Sequence, residues 1–153
     1  MRRPARLSRL DQHFPGCSIY FITCCSHAGK PLLANDEMHQ TFVHFCTAAQ
    51  ARQVWVGRYV IMPDHLHFFV DCGEAASLST WIKSLKNALS KCLRGKGEAA
   101  PHWQKGFFDH VVRSEASYEA KWIYTRENPV RAGLAKAWED WRYQGEVAQV
   151  PFD

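Results

Sequence analysis

His65 and His67 flank Leu66 in YVIMPDHLHFFV, Tyr59 to Val70, a run otherwise rich in strand-forming apolar residues. Successive side chains of a β-strand point to opposite faces, so the two imidazoles share one face and Leu66 takes the other. Nitrogens so placed can hold a divalent cation once a third ligand arrives from elsewhere in the chain. The same pattern also suits the polar face of an ordinary half-buried strand. Spacing alone leaves both readings open.

A second group lies in KWIYTRENPVRAGL, Lys121 to Leu134. Residues three and four apart share a helix face, so Lys121, Tyr124 and Asn128 align, and Arg131 follows if the turn continues past Pro129. A phenol is a poor nucleophile at neutral pH, but neighbouring positive charge or a metal favours its phenolate. The Asn128 amide oxygen suits a hard cation such as magnesium. Taken alone, Tyr124 reads as an interfacial aromatic on an amphipathic helix.

The elements that must carry these residues follow from periodicity and turn signals. SIYFITCC (Ser18 to Cys25) is β-branched and aromatic and predicts a strand. Met38, Phe42, Phe45 and Ala49 recur at helical spacing behind Asn35 or Asp36 as cap. VWVGRYVIM and HLHFFVDC, joined by Pro63 and Asp64, predict an antiparallel hairpin, because so short a link excludes a parallel crossover. A second amphipathic helix buries Leu78, Trp81, Ile82, Leu85, Ala88, Leu89 and Cys92 and turns Lys83, Lys86 and Ser90 outward. Gly95 to Gly106 reads as a loop and FFDHVVR as a short strand. A last helix, capped by Ser114 or Ser117, stops or kinks near Asn128, which precedes proline. The order β-α-β-β-α-β plus a C-terminal helix carrying the tyrosine is α+β and ferredoxin-like: an antiparallel sheet with both crossover helices on one side and its other face available.

Composition bounds the reading. A chain of 153 residues, 46% hydrophobic and 22% charged, predicts one domain spanning residues 1–153, with residues 1–16 as a basic arm and 135–153 as a tail. No apolar run is long enough to cross a bilayer and the arm lacks the apolar stretch of a secretory signal, so a cytoplasmic protein without membrane contact is expected. The cysteines Cys17, Cys24, Cys25, Cys46, Cys72 and Cys92 form no C-x-x-C pair and read as reduced, packed thiols. The net charge of +4 is clustered: Arg2, Arg3, Arg6 and Arg9 in the arm, and Lys83, Lys86, Lys91, Arg94 and Lys96 further on. Such clusters face either phosphates or plain solvent.

MPDHLHFFV, WQKGFFDHVVR and YTRENPVRAGL, in that order, resemble the REP-associated tyrosine transposases, in the single-tyrosine branch of the HUH (His-hydrophobe-His) endonucleases. The resemblance runs from about Tyr20 to Leu134 and is most specific in the Tyr-x-x-x-Asn-Pro-x-Arg-Ala-Gly-Leu segment. It implies that His65 and His67 are metal ligands, that Tyr124 is the catalytic tyrosine and that Asn128 completes the metal site. The ion implied is magnesium or manganese. The implied reaction is attack of Tyr124 on a phosphodiester of single-stranded DNA beside a palindromic hairpin of REP-like repeats, leaving a 5′-phosphotyrosine and a free 3′-hydroxyl. Thr125 stands where the family usually carries isoleucine, and the tail AWEDWRYQGEVAQVPFD matches only loosely.

Phosphates would then meet Lys83, Lys86, Arg113, Lys121, Arg131 and the arm residues Arg2, Arg3 and Arg6, in a monomer or homodimer. Trp103, Phe107 and Phe108 either stack on bases or pack in the core, the core being favoured. Asp109 and His110 read as supporting polar groups. An alternative on the same fold is a domesticated, non-catalytic module that binds hairpin DNA or RNA. A metal-dependent hydrolase of small molecules is a weaker third reading, because it gives the tyrosine no role.

Overall fold

Alternation along Ile19–Cys25 (β1) sends Tyr20, Ile22 and Cys24 to one face of a sheet and Ile19, Phe21 and Thr23 to the other. The computed structural model describes residues 19–73 and 77–150; Arg2, Arg3, Arg6, Arg9 and Cys17 lie outside the described residues. The helix Asp36–Ala49 (α1) starts at Asn35, whose side chain accepts the Met38 amide at 3.0 Å, one of the two caps expected. Strands Trp55–Ile61 (β2) and His65–Asp71 (β3) form the expected hairpin, closed across Pro63 and Asp64 by the Met62 amide donating to the His65 carbonyl at 2.8 Å. The helix Leu78–Gly95 (α2) is followed by the short strand Phe108–Val111 (β4). Glu115–Arg126 (α3) begins at Ser114, whose hydroxyl accepts the Ser117 amide. The chain then makes one more helical turn, Asn128–Arg131 (α4), and a strand Gln144–Glu146 (β5).

The sheet is antiparallel throughout, in the order β4-β1-β3-β2-β5. Its first four strands are the ferredoxin-like plan. α1 and α2 lie together on one face, with Phe42, Cys46, Ile82, Leu85 and Leu89 packed over Ile22, Leu66, Phe68 and Val70. Cys24, Cys46 and Cys72 are buried free thiols and Cys25 and Cys92 are half-buried ones, as the spacing of cysteines led one to expect. No helix among the described residues is long and apolar enough to cross a membrane.

Several features depart from the sequence reading. Ser90, expected on the outer side of α2, is buried, because residues 98–106 fold back over it and its Oγ meets His102 Nδ1 at 2.9 Å and Trp103 Nε1 at 3.0 Å. The second face of the sheet is not simply open: Ile19, Phe21, Val60, Met62 and Phe69 are buried there with Tyr118 and Trp122 of α3. Apolar residues on both faces require cover on both. The tail supplies part of it, since Trp138, Trp141 and Val150 pack on this second cluster and β5 pairs with the outer edge of β2.

Candidate functional site

On the second face, β3 presents His65 and His67 side by side, with ring centroids 4.7 Å apart. Each Nδ1 has a partner. His65 Nδ1 lies 2.8 Å from Asp64 Oδ1 and His67 Nδ1 lies 2.8 Å from Thr23 Oγ1. A carboxylate only accepts, so His65 donates from Nδ1, which turns Nε2 to any other partner. Thr23 is directly opposite His67 across β1 and β3, which is why the short polar side chain reaches it. The His67 ring also stacks on Phe21, at 5.1 Å and 21°. Burial pushes the His67 pKa down to about 3, helped by His65, Lys121 and Arg131, so the ring is neutral near pH 7. Neutral imidazole is the metal-binding form.

α3 is fastened to this same face by Tyr118 and Trp122, with the Tyr118 ring 4.1 Å from that of Phe69. Thr125, the departure from the family pattern, is buried. Tyr124 is 65% exposed. Proline lacks an amide proton and fits the first turn of a helix, so Asn-Pro ends α3 and starts α4. The turn brings Arg131 back: its guanidinium sits 4.1 Å from the Tyr124 ring centroid and donates to the Tyr124 carbonyl at 2.8 Å and to Asn128 Oδ1. Tyr124, Asn128 and Arg131 thus form one unit. Arg131 and Lys121 are near enough to bear on the charge of His67, and Lys121 Nζ lies 5.1 Å from the centroid of Phe21.

Among the described residues no three His, Cys, Asp or Glu side chains gather as a metal site. A divalent ion at the histidines would draw on donors of another type. The two Nε2 atoms and an amide oxygen are a donor set that magnesium or manganese accepts. Asn128 Oδ1 accepts from Arg131, a partner it would have to exchange in order to serve as a ligand.

Residues 15–138 match the family of IS200-like transposases. The chain belongs to that family. An uncharacterized protein of Haemophilus influenzae is 23% identical over 163 residues, covering 84% of this chain and 88% of its own. Among solved structures, a REP-associated tyrosine transposase bound to a REP hairpin superposes with a TM-score of 0.68 at 22% identity, over 83% of this chain and 75% of that one. A Deinococcus radiodurans protein described as a putative transposase gives a TM-score of 0.51 at 12% identity, over 71% and 89% of the two chains. These likenesses establish the α+β fold of this IS200-like transposase.

The predicted phosphate contacts divide sharply by position. Lys121 and Arg131 are at the site. Lys83 is exposed on α2, in the helical layer on the far side of the sheet from the histidines. Lys86 turns inward to the loop after α2, where its Nζ donates to the carbonyls of Gln104 (3.2 Å) and Gly106 and lies 5.7 Å from the Trp103 ring centroid. Arg113 is exposed between β4 and α3. Asp109 is buried and pairs with Ile22, on the helical side of the sheet, whereas His110 pairs with Phe21 on the site's side. Phe107 is buried, and Trp103 is held by hydrogen bonds to Lys86 O and Ser90 Oγ. Phe108 is 38% exposed. Sequence reasoning missed Asp64 and Thr23. Asp64 had a signal, since a carboxylate directly before a candidate ligand can reach its ring; Thr23 had none before strand register was known.

Proposed function

We propose that this IS200-like transposase cuts and rejoins single-stranded DNA beside palindromic hairpins, with Tyr124 as nucleophile. The observation that carries this reading is the packing of α3 on the sheet face that bears both histidines, with Arg131 close enough to bear on the charge of His67 and in contact with both Tyr124 and Asn128. The hairpin-bound relative supports the choice of substrate.

In the proposed reaction the Tyr124 Oη–phosphorus bond forms as the phosphorus–O3′ bond breaks. The phenolic proton leaves to solvent and the departing 3′ oxygen takes one up, so a 5′-phosphotyrosine and a 3′-hydroxyl result. The ester keeps the bond energy, and a 3′-hydroxyl of another strand can reverse the step without ATP. A magnesium or manganese ion, when bound by His65, His67 and Asn128, supplies Lewis-acid stabilisation of charge on the phosphate oxygens. Asp64 and Thr23 hold the two imidazoles in orientation. Arg131, on releasing Asn128, carries its fork of donors to the non-bridging oxygens. The exposure of Tyr124 gives an unpaired strand direct access to its hydroxyl.

The test incubates the protein and its Tyr124→Phe variant with single-stranded DNA from palindromic repeats, with and without manganese, followed by denaturing gels. A slow-migrating protein–DNA species that requires both manganese and Tyr124 is expected. Hairpin binding with no adduct under either condition would replace this reading with that of a non-catalytic hairpin-binding module.

A further inference from the structure

Phe108 opens β4, the edge strand of the sheet, and is one of only four large hydrophobic residues exposed among those described. Its place is not arbitrary. It pairs with Thr23, which pairs in turn with His67, so Phe108, Thr23 and His67 form one row across three strands. Directly opposed residues point to the same face, so the Phe108 ring stands on the face of the histidines. Two strand spacings, about 10 Å, separate its backbone from that of His67. Alternation sends Phe107 into the core and leaves Phe108 facing solvent.

The backbone beneath it is held firmly. Gly106, at a φ of 78° that suits glycine, turns the chain into β4, and its carbonyl accepts from Lys86 Nζ on α2. Trp103 and His102 are bonded to the same helix through Ser90, and His27 N donates to the His102 carbonyl at 2.9 Å. An aromatic face displayed from anchored backbone meets a planar partner without an ordering cost. The surroundings select for anionic chain: Lys121 Nζ lies over Phe21, two residues along β1 from Thr23 and on the same face. An aromatic plane flanked by a cation is the arrangement that takes a base together with its phosphate.

We propose that Phe108 is a stacking platform for one unpaired nucleobase next to the phosphate held at His65 and His67. The inference rests on the reading of this face as a single-stranded DNA site, and adds a residue that fixes which nucleotide sits beside the cut. Every base has a π-face, so the platform sets register along the strand while tolerating any sequence at that position.

The experiment uses the full chain and a synthetic DNA hairpin with an unpaired arm, in which 2-aminopurine replaces each arm base in turn. With the wild-type protein, fluorescence is expected to be quenched strongly at one arm position. Phe108→Ala is expected to lose that quenching and to bind about fivefold to a hundredfold more weakly by anisotropy. Phe108→Trp is expected to restore both, and Phe108→Leu, apolar but without a π-face, is not. Circular dichroism on each variant checks that the fold is kept. A wild-type protein that forms the Tyr124 adduct, yet quenches no arm position and binds as tightly as Phe108→Ala, overturns the platform and leaves the nuclease reading standing. Failure of the wild-type protein to bind the arm at all overturns both.

Discussion

Asp64 and Thr23 do the same task for the two histidines by different chemistry. The Asp64 carboxylate accepts only, so it admits one tautomer of His65, whereas the Thr23 hydroxyl can donate or accept and leaves the His67 tautomer to the rest of the site. Losing such a support typically costs tenfold to a hundredfold in metal affinity. Asp64→Ala is therefore expected to weaken manganese binding by about 10–100-fold in calorimetric titration, while Asp64→Asn, which keeps an accepting oxygen, stays within a few-fold of wild type. Manganese affinity unchanged in Asp64→Ala would remove Asp64 from the site. The pair His65 and His67 was legible from spacing, because strand alternation is a local rule. Thr23 was not, because its partner is set by the register of a strand more than forty residues away.

At the scale of the element, the site depends on how closely α3 lies against β2. Gly57 sits in the irregular stretch of β2 between Val56 and Tyr59, and a Cβ built on it would stand 2.7 Å from Val150 Cγ2 and 2.9 Å from Tyr118 Oη. The glycine serves close approach. Tyr118 cannot swing aside cheaply, since its ring is packed on Phe69 and its hydroxyl accepts from the Arg58 amide at 3.4 Å. Gly57→Ala is expected to destabilise by about 1–3 kcal/mol through overpacking, which thermal unfolding would register as a Tm lower by several degrees. The Tyr124 adduct should fall with it, because α3 is the element that lifts. A Tm unchanged from wild type would mean that α3 yields without strain. The helices and first four strands were legible because each repeats an apolar pattern at its own period. β5 was not, since Gln144, Gly145 and Glu146 have no strand composition and pair only because the β2 edge offers Arg58, Tyr59 and Val60 as a template.

For the whole molecule, the sheet divides labour between its faces. One face is sealed by α1 and α2 and holds most of the core; the other is covered by α3 and the tail and bears the histidines, with Lys121 and Arg131 near enough to act on His67. The net charge of +4 says nothing of this division, and the cluster of bases at residues 83–96 follows α2, on the side of the sheet away from the histidines. Lys83 and Lys86, neighbours on α2, illustrate the loss: one is exposed behind the sheet, the other is bonded to the carbonyls of Gln104 and Gly106. Only position relative to the site tells which cations meet a strand. For single-stranded DNA, each phosphate neutralised steepens the fall of log K with log salt by about 0.7. Lys121→Gln is accordingly expected to weaken binding of an unpaired DNA arm and to flatten that slope by about 0.7, while Lys83→Gln leaves both affinity and slope as they were. Anisotropy titrations across a range of sodium chloride concentrations measure both quantities at once. Equal slopes for wild type and Lys121→Gln, or a flatter one for Lys83→Gln, would move the DNA path off the histidine face and onto the helical side.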